Sequence, residues 1–325
     1  MRSLLSGFLV AFVVALSLVR VLLIPSLARL VPDVPNERSL HRVAIPRTGG
    51  VGLLLAAATG WLVFGEGALT PAAALASALG AIFFIDDIRG LSVPLRFGAQ
   101  FAAALLLVLS TGIQTLWLLP LLVIGIVWCM NLYNFMDGSN GLAGGMAVIG
   151  FGAYAIAAHA AEAESLALAA AVIAGAALGF LMWNFDPARI FLGDAGSIPL
   201  GFLAAALGLF GWQASVWPCW FPLLVFSPFV LDATLTLAQR AMRGEKLWQA
   251  HKTHYYQRLV RSGWGHRKLA LAEYALMAAV ATSALLFREA GWGGVAMLLV
   301  AWALAYAAIA VAIDRRWARF AGAEP

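Results

Sequence analysis

Apolar residues fall in long runs separated by charges or by short Gly, Pro and Asn punctuation. Eleven such runs can be read, at about 4–24, 49–65, 70–85, 99–113, 115–133, 143–161, 166–183, 196–212, 216–237, 269–287 and 292–313. Most approach the roughly 20 residues that an α-helix needs to cross the hydrocarbon core. The pattern therefore predicts an all-α, polytopic membrane protein with about eleven transmembrane helices. The first run is long enough to span and lacks a clear small-residue cleavage site, so it is expected to be a helix rather than a signal peptide. Runs such as LALAAAVIAGAALGF at 166–180 are rich in Ala and Gly, which allows helices to approach closely.

Composition sharpens this picture. Of 325 residues 62% are hydrophobic and 11% charged, against about 25% charged in soluble domains. A soluble or disordered chain is excluded. The net charge of +5 comes from 21 Lys and Arg against 16 Asp and Glu. Distributed over eleven spans, 19 of the 21 cations fall on one side and only Arg2 and Arg288 on the other. Cytoplasmic loops collect positive residues, which places the amino terminus outside and the carboxy terminus inside. It also makes the basic excess a topology signal for a protein in the lipid bilayer, with no nucleic acid as partner. Cys129 and Cys219 lie inside apolar runs and read as small hydrophobes. No soluble domain is visible, so residues 1–325 form a single membrane domain. Its cytoplasmic loops 25–48, 86–98, 131–142, 184–195 and 238–268 are expected to form the active face, because the external loops are short and nearly featureless.

The inner loops carry the candidate chemistry. Asp86 and Asp87 follow a span in AIFFIDDIRG. An acid near hydrocarbon costs about 2.5–3.5 kcal/mol on insertion scales, and two neighbours repel, so a positive group should compensate; a helix-end turn at the water interface is the plainer alternative. NLYNFMDGSNGLAGG places Asn131, Asn134 and Asp137 at i, i+3 and i+6, near one face of a helix end, with Asn140 close behind. Asp194, in FLGDAGS, could equally be an ordinary helix cap. Asp186 precedes Pro187 and reads as a turn residue. Four carboxylates thus reach one face from three loops. Without a His/Cys cluster, such hard oxygen ligands suit Mg²⁺, or Mn²⁺ in its place. Cations for a phosphate stand in the other two loops: Arg38, His41, Arg42, Arg47 and Thr48 before a Gly-Gly pair, and His251, Lys252, His254 and Arg258 in AHKTHYYQRL. A polybasic patch for anionic lipid heads accounts for Arg240, Arg243 and Lys246, but not for two histidines at i, i+3. His159 and His266 are expected to be solvated. Asp232, inside the run 216–237, is an intramembrane acid without an assigned part.

Carboxylates that can hold a divalent ion, flanked by Arg and His at a membrane interface, suit phosphoryl transfer between a soluble and a lipid phosphate. A secondary transporter is the competing class, yet transporters hold such groups near the bilayer midplane at a repeat interface, whereas these acids stand at helix ends. The ordered set PNERSLH, PRTGG, Asp86-Asp87, NLYNFMDGSNGLAGG, NFDPARIFLGDAGS and the His-bearing basic loop resembles the polyprenyl-phosphate N-acetylhexosamine-1-phosphate transferases of glycosyltransferase family 4, nearly end to end. The likeness points particularly to the branch that starts O-antigen, lipopolysaccharide or other surface-glycan synthesis.

The resemblance implies Mg²⁺-dependent transfer of a sugar 1-phosphate, from a UDP-N-acetylhexosamine or related UDP-deoxy-sugar to undecaprenyl phosphate, with release of UMP. The site would face the cytoplasm at a bacterial inner membrane. It further implies that Asp194 is the principal metal ligand and that Asp86 and Asp87 are a metal-proximal or base pair, with Asp87 in the metal set. Asn134 and Asp137 would contact nucleotide or metal. Arg47, Thr48, Asn131 and Asn140 would help bind substrate, and His251 or His254, with Arg258, would hold phosphate. Two departures stand out. Asn140 occupies a position where the family often has Asp, and the His-rich stretch of cell-wall members is reduced here to HKTHYYQRL. A homodimer is left open.

Overall fold

In a computed structural model the described residues are 2–35, 43–65, 70–246, 249 and 251–321. Arg38, His41 and Arg42 lie outside them. The chain begins with α1 (Arg2–Leu22) and a short α2 (Pro25–Ala28). Two-residue strands β1 (Pro32–Asp33) and β2 (Ile45–Pro46) then pair antiparallel, Pro32 opposite Pro46. Everything after that is helical: α3 (Gly49–Phe64), α4 (Thr70–Arg89), α5 (Val93–Ser110), α6 (Leu118–Met136), α7 (Leu142–Ala160), α8 (Glu164–Asn184), α9 (Asp194–Gln213), α10 (Trp220–Val225), α11 (Ser227–Met242), α12 (Tyr255–Leu259), a π turn at Val260–Trp264, α13 (His266–Phe287) and α14 (Trp292–Ala321). The protein is an all-α polytopic membrane protein.

Among the described residues nine helices are long and apolar enough to cross a membrane. The two other expected runs are helical but different. α3 has 16 residues, about 24 Å of helix, short of the hydrocarbon thickness. The run 216–237 is broken at Phe226 into α10 and α11, because Pro228 has no N–H and its ring excludes the carbonyl one turn back. α8 and α9 are the most enclosed helices and α14 the most peripheral. The Ala/Gly surface of α8 takes α1 on one side and α7 on the other.

Several helices also run past the expected ends. α4 continues through Asp86 and Asp87 to Arg89, and α6 through Asn131 and Asn134 to Met136. Asp86 and Asp87, expected just past a helix end, stand in the last turn of α4, while Asn131 and Asn134 lie at a helix end as their spacing suggests. A helix satisfies its own backbone where an irregular loop near lipid could not, so polar side chains do not end it. α14 likewise extends beyond the apolar run and carries Asp314, Arg315, Arg316 and Arg319 on its last turns.

Candidate active site

The end of α4, the start of α5 and the end of α6 meet the start of α9 at a cluster of carboxylates and one guanidinium. Asp86 and Asp87 are both buried. Asp86 Oδ1 accepts a 2.6 Å hydrogen bond from the Leu91 N–H, closing the turn after α4, and its Oδ2 lies 3.0 Å from Arg96 Nε. Arg96 reaches the other way as well, its Nη2 donating to Asp194 Oδ2 at 2.8 Å. Asn134 donates from Nδ2 to Asp194 Oδ1 at 2.8 Å and to Ser197 Oγ at 2.9 Å. Asp87 Oδ2 accepts the Ala195 N–H at 3.1 Å. Two acids therefore crowd the first turn of α9, where unpaired N–H groups and the helix dipole favour negative charge. Gly193, just before that turn, has φ +74° and leaves no room for a Cβ beside Asp87 Oδ2 and the Arg47 carbonyl. Asp137 caps the end of α6 nearby. Burial, reinforced by repulsion from Asp194, Asp87 and Asp33, holds its carboxyl well above the usual carboxylate range.

A backbone ladder brings the 45–50 segment to this cluster. Phe191 N–H donates to the Pro46 carbonyl, while Gly49 and Gly50 donate to the carbonyls of Phe191 and Leu192. Arg47 Nη2 donates to the Asp87 carbonyl at 2.7 Å, and Arg47 Nε stands 3.6 Å from Asp87 Oδ1. Arg47 Nε and Thr48 Oγ1 are buried yet have no hydrogen-bond partner among the described residues. Buried donors without a hydrogen bond are costly, and two such atoms on neighbouring residues where α3 begins suit a phosphate.

Among the described residues no three His, Cys, Asp or Glu side chains gather closely enough to enclose a metal by themselves. Asp87 and Asp194 instead offer the one or two carboxylates that Mg²⁺ takes while it keeps water and phosphate in its remaining positions. The donor set at the head of α9 fits such an ion. Both oxygens of Asp86 are engaged, by Leu91 and Arg96, and so are both of Asp194, by Arg96 and Asn134; what sets Asp194 apart is its place in the first turn of α9 beside Asp87.

The histidine arm comes from the other side. His254 is buried, its Nδ1 3.1 Å from Asp232 Oδ1 and its ring stacked on Phe135 and Tyr256. Tyr256 Oη donates to the Phe135 carbonyl at 3.0 Å, so the arm rests on the end of α6, next to Asp137. His251 lies against His254, and its Nδ1 is 2.9 Å from Thr253 Oγ1. Burial, then the charges of His254 and Arg240, push the His251 imidazole down to about 4.

Four sequence expectations are redirected. Arg258 does not point a free guanidinium at a phosphate: it is buried, and Nε, Nη1 and Nη2 donate to the Thr253 carbonyl, Asp314 Oδ1 and Gln239 Oε1. That ties α12 to α14 and α11. Asn131 spends its amide on Gln100 Oε1 and the Val127 carbonyl, joining α5 to α6. Asn140 donates to Asp186 Oδ1 at 2.7 Å, linking the loops after α6 and α8. His266, expected to be solvated, contacts Ser139 through Nδ1 at 2.8 Å; His159 is exposed, beside the equally exposed Glu164. In each case the partner is distant in sequence or outside any motif.

Arg96 and Ser197 were not singled out from sequence. The adjacent acids did call for a compensating cation, and Arg96 sits four residues after Ser92, where α5 begins. Ser197 is one helical turn after Asp194, on its face of α9.

Residues 69–211 match the family model described as glycosyl transferase family 4. That stretch holds Asp86, Asp87, Arg96, Asn134, Asp137 and Asp194, but neither Arg47 nor the histidine arm. The chain is 30% identical over 309 residues to a probable undecaprenyl-phosphate N-acetylglucosaminyl 1-phosphate transferase of Bacillus subtilis (strain 168), covering 86% of this chain and 85% of that protein. It is 30% identical over 304 residues to a decaprenyl-phosphate N-acetylglucosaminephosphotransferase of Mycobacterium leprae, 77% of this chain and 75% of that one. It is 29% identical over 313 residues to a phospho-N-acetylmuramoyl-pentapeptide-transferase of Listeria welshimeri, 84% and 94%.

Proposed function

Because this chain belongs to glycosyl transferase family 4, the polyprenyl-phosphate hexosamine-1-phosphate transferases, we propose that it transfers a sugar 1-phosphate from a UDP-N-acetylhexosamine, or a related UDP-deoxy-sugar, to undecaprenyl phosphate. UMP leaves, and the lipid-linked product starts a surface glycan of the O-antigen type. The observation that carries the reading is the juxtaposition of Asp87 and Asp194 at the head of α9 with Arg47, whose Nε faces Asp87 Oδ1 at 3.6 Å without a hydrogen bond, and with Thr48 Oγ1, which has no hydrogen-bond partner among the described residues. It combines a seat for a divalent ion with donors for phosphate oxygens. The short HKTHYYQRL arm supports the surface-glycan branch, and the site would stand on the cytoplasmic side of the inner membrane if the chain crosses eleven times, the count over which 19 of 21 cations share that side.

Asp194 and Asp87 would hold Mg²⁺, with Mn²⁺ as the alternative; when bound, the ion neutralises and orients the donor diphosphate. In the transfer, an oxygen of the lipid phosphate forms a bond to the sugar-bearing phosphorus while the bond to the uridylyl phosphate breaks, its electron pair leaving on UMP. Arg47 and Thr48 donate to phosphate oxygens and hold them in line. Arg96 keeps Asp86 and Asp194 apart from one another's charge and fixes the orientation of both. Asp87 is the carboxylate of the adjacent pair placed to accept any proton left on the lipid phosphate, since Asp86 is committed to Leu91 and Arg96. Asn134 sets the rotamer of Asp194 through Oδ1.

The test is incubation of the purified protein with undecaprenyl phosphate, Mg²⁺ and a panel of UDP-sugars, with UMP as the readout. UMP release that requires both the lipid phosphate and a UDP-N-acetylhexosamine or UDP-deoxy-sugar is expected. Silence across the panel, or UMP formed without the lipid, contradicts the reading.

A further inference from the structure

Asp232 stands in α11 with its side chain only 9% exposed, and a buried acid is expensive unless something compensates it. Its compensation is unusual in where it comes from. Both carboxylate oxygens are occupied, yet apart from Thr236 in its own helix every hydrogen-bond partner belongs to residues 254–256 of the histidine arm. Oδ1 accepts the Tyr255 N–H at 2.9 Å and faces His254 Nδ1 at 3.1 Å; Oδ2 accepts the Tyr256 N–H at 2.9 Å. Thr236 Oγ1, one turn further along α11, donates to Oδ1 at 3.2 Å. None of these hydrogen-bond partners lies on a membrane-crossing helix, so joining α11 to a span is not what these bonds do.

We propose that Asp232 is the positioning residue of the histidine arm. From α11 it caps the first turn of α12 and fixes the tautomer and ring orientation of His254, which leaves Nε2 as the nitrogen available to a phosphate. The capping argument is direct: at the N-cap of α12 the His254 N–H is taken by Gln257 Oε1 at 3.2 Å, and the two N–H groups that follow it are satisfied from α11. The tautomer argument follows from donor chemistry, since an ionised carboxylate only accepts. The contact therefore requires hydrogen on Nδ1, the arrangement by which a carboxylate orients an imidazole whose other nitrogen does the work. The ring so oriented is held between Phe135 and Tyr256, with centroids 6.0 and 5.9 Å away. Phe135 lies between Asn134, which bonds Asp194, and Asp137. One carboxylate thus sets the arm against the end of the helix that supports the metal-binding acid. Arg258 secures the far end of α12 to Asp314 and Gln239, so the arm is anchored at both ends and His254 is its fixed point.

The inference rests on the transferase reading for its consequence, and the test separates the two. Full-length protein labelled with ¹⁵N-histidine is placed in lipid nanodiscs without substrate, and His254→Gln identifies the His254 imidazole resonances. Expected in the parent at neutral pH is a His254 signal with hydrogen on Nδ1; hydrogen on Nε2 alone overturns the proposal without any variant at Asp232. Asp232→Asn should move the His254 resonances while those of His159 stay in place. In the UMP assay it should lower kcat about 10- to 100-fold, as loss of an orienting partner does, with KM for the UDP-sugar nearly unchanged. Asp232→Glu, which keeps the carboxylate, should recover part of kcat. In a His254→Gln background the Asp232→Asn loss should disappear. Unmoved His254 resonances, or an undiminished loss in that background, overturn the proposal. Should the parent turn over no UDP-sugar, the transferase reading fails while the resonances still decide the part of Asp232.

Discussion

Gly50 stands directly against Gly196: a Cβ on Gly50 would fall well inside contact distance of the Gly196 Cα and N and of the Leu192 carbonyl oxygen. These are backbone atoms, and the Leu192 carbonyl already accepts the Gly50 N–H, so no side chain can swing aside to make room. This close approach of α3 to α9 is what delivers Arg47 and Thr48 to the acids at the head of α9. Gly50→Ala should therefore cost about 1–3 kcal/mol, as overpacking does, and lower UMP release out of proportion to the stability lost. Thermal unfolding in detergent alongside initial rates checks this; parent-like values of both contradict it.

Arg96 is the cation shared by Asp86 and Asp194. Arg96→Gln removes the charge from between two acids and should reduce kcat about 10- to 100-fold. Arg96→Lys should recover only part of it, because one ammonium cannot reproduce a contact made through Nε to one carboxylate and Nη2 to the other. Initial rates for the two variants, each checked for folding by its melting temperature, provide the measurement.

Arg258 distinguishes a phosphate ligand from an anchor. Its three guanidinium nitrogens are committed to Thr253, Asp314 and Gln239. Arg258→Ala should lower stability by about 1–3 kcal/mol, the scale for hydrogen bonds to charged groups, and leave KM for the UDP-sugar nearly unchanged. A raised KM with parent stability would restore the phosphate contact expected from sequence.

The membrane-crossing runs were legible because span length is dictated by bilayer thickness, which any apolar run must match. Helix ends were legible only in part: Asn131 and Asn134 read as one face of a helix end, whereas Asp86 and Asp87 look like turn residues until a polar site accepts them inside the last turn. The break at Phe226 had its signal in Pro228, masked by an otherwise continuous apolar run. The acids of the site could be named from their motifs, but their partners could not. Arg96 joins Asp194 across 98 positions and Arg258 joins Asp314 across 56, and no local pattern carries such pairings.

His251 makes the acid side of the stability profile informative. Its imidazole titrates near 6.5 in an unfolded chain but is pushed down to about 4 in the folded one, by burial first and then by His254 and Arg240, with Glu245 and Asp232 opposing. The unfolded state thus binds the extra proton between those values. Its contribution to stability is complete above about pH 6.5 and is lost as pH falls through about 4. Melting temperatures measured across that window should decline for the parent and decline less steeply for His251→Gln.

The most direct measurement is the rate of UMP release by Asp194→Asn with undecaprenyl phosphate, the preferred UDP-sugar and saturating Mg²⁺. The substitution keeps the side chain's size and its place at the head of α9, while removing the charge that Arg96 and a divalent ion would share. A fall of at least about 100-fold, in protein that accumulates and melts like the parent, is the predicted result. Turnover close to that of the parent would contradict it and remove Asp194 from the reacting centre.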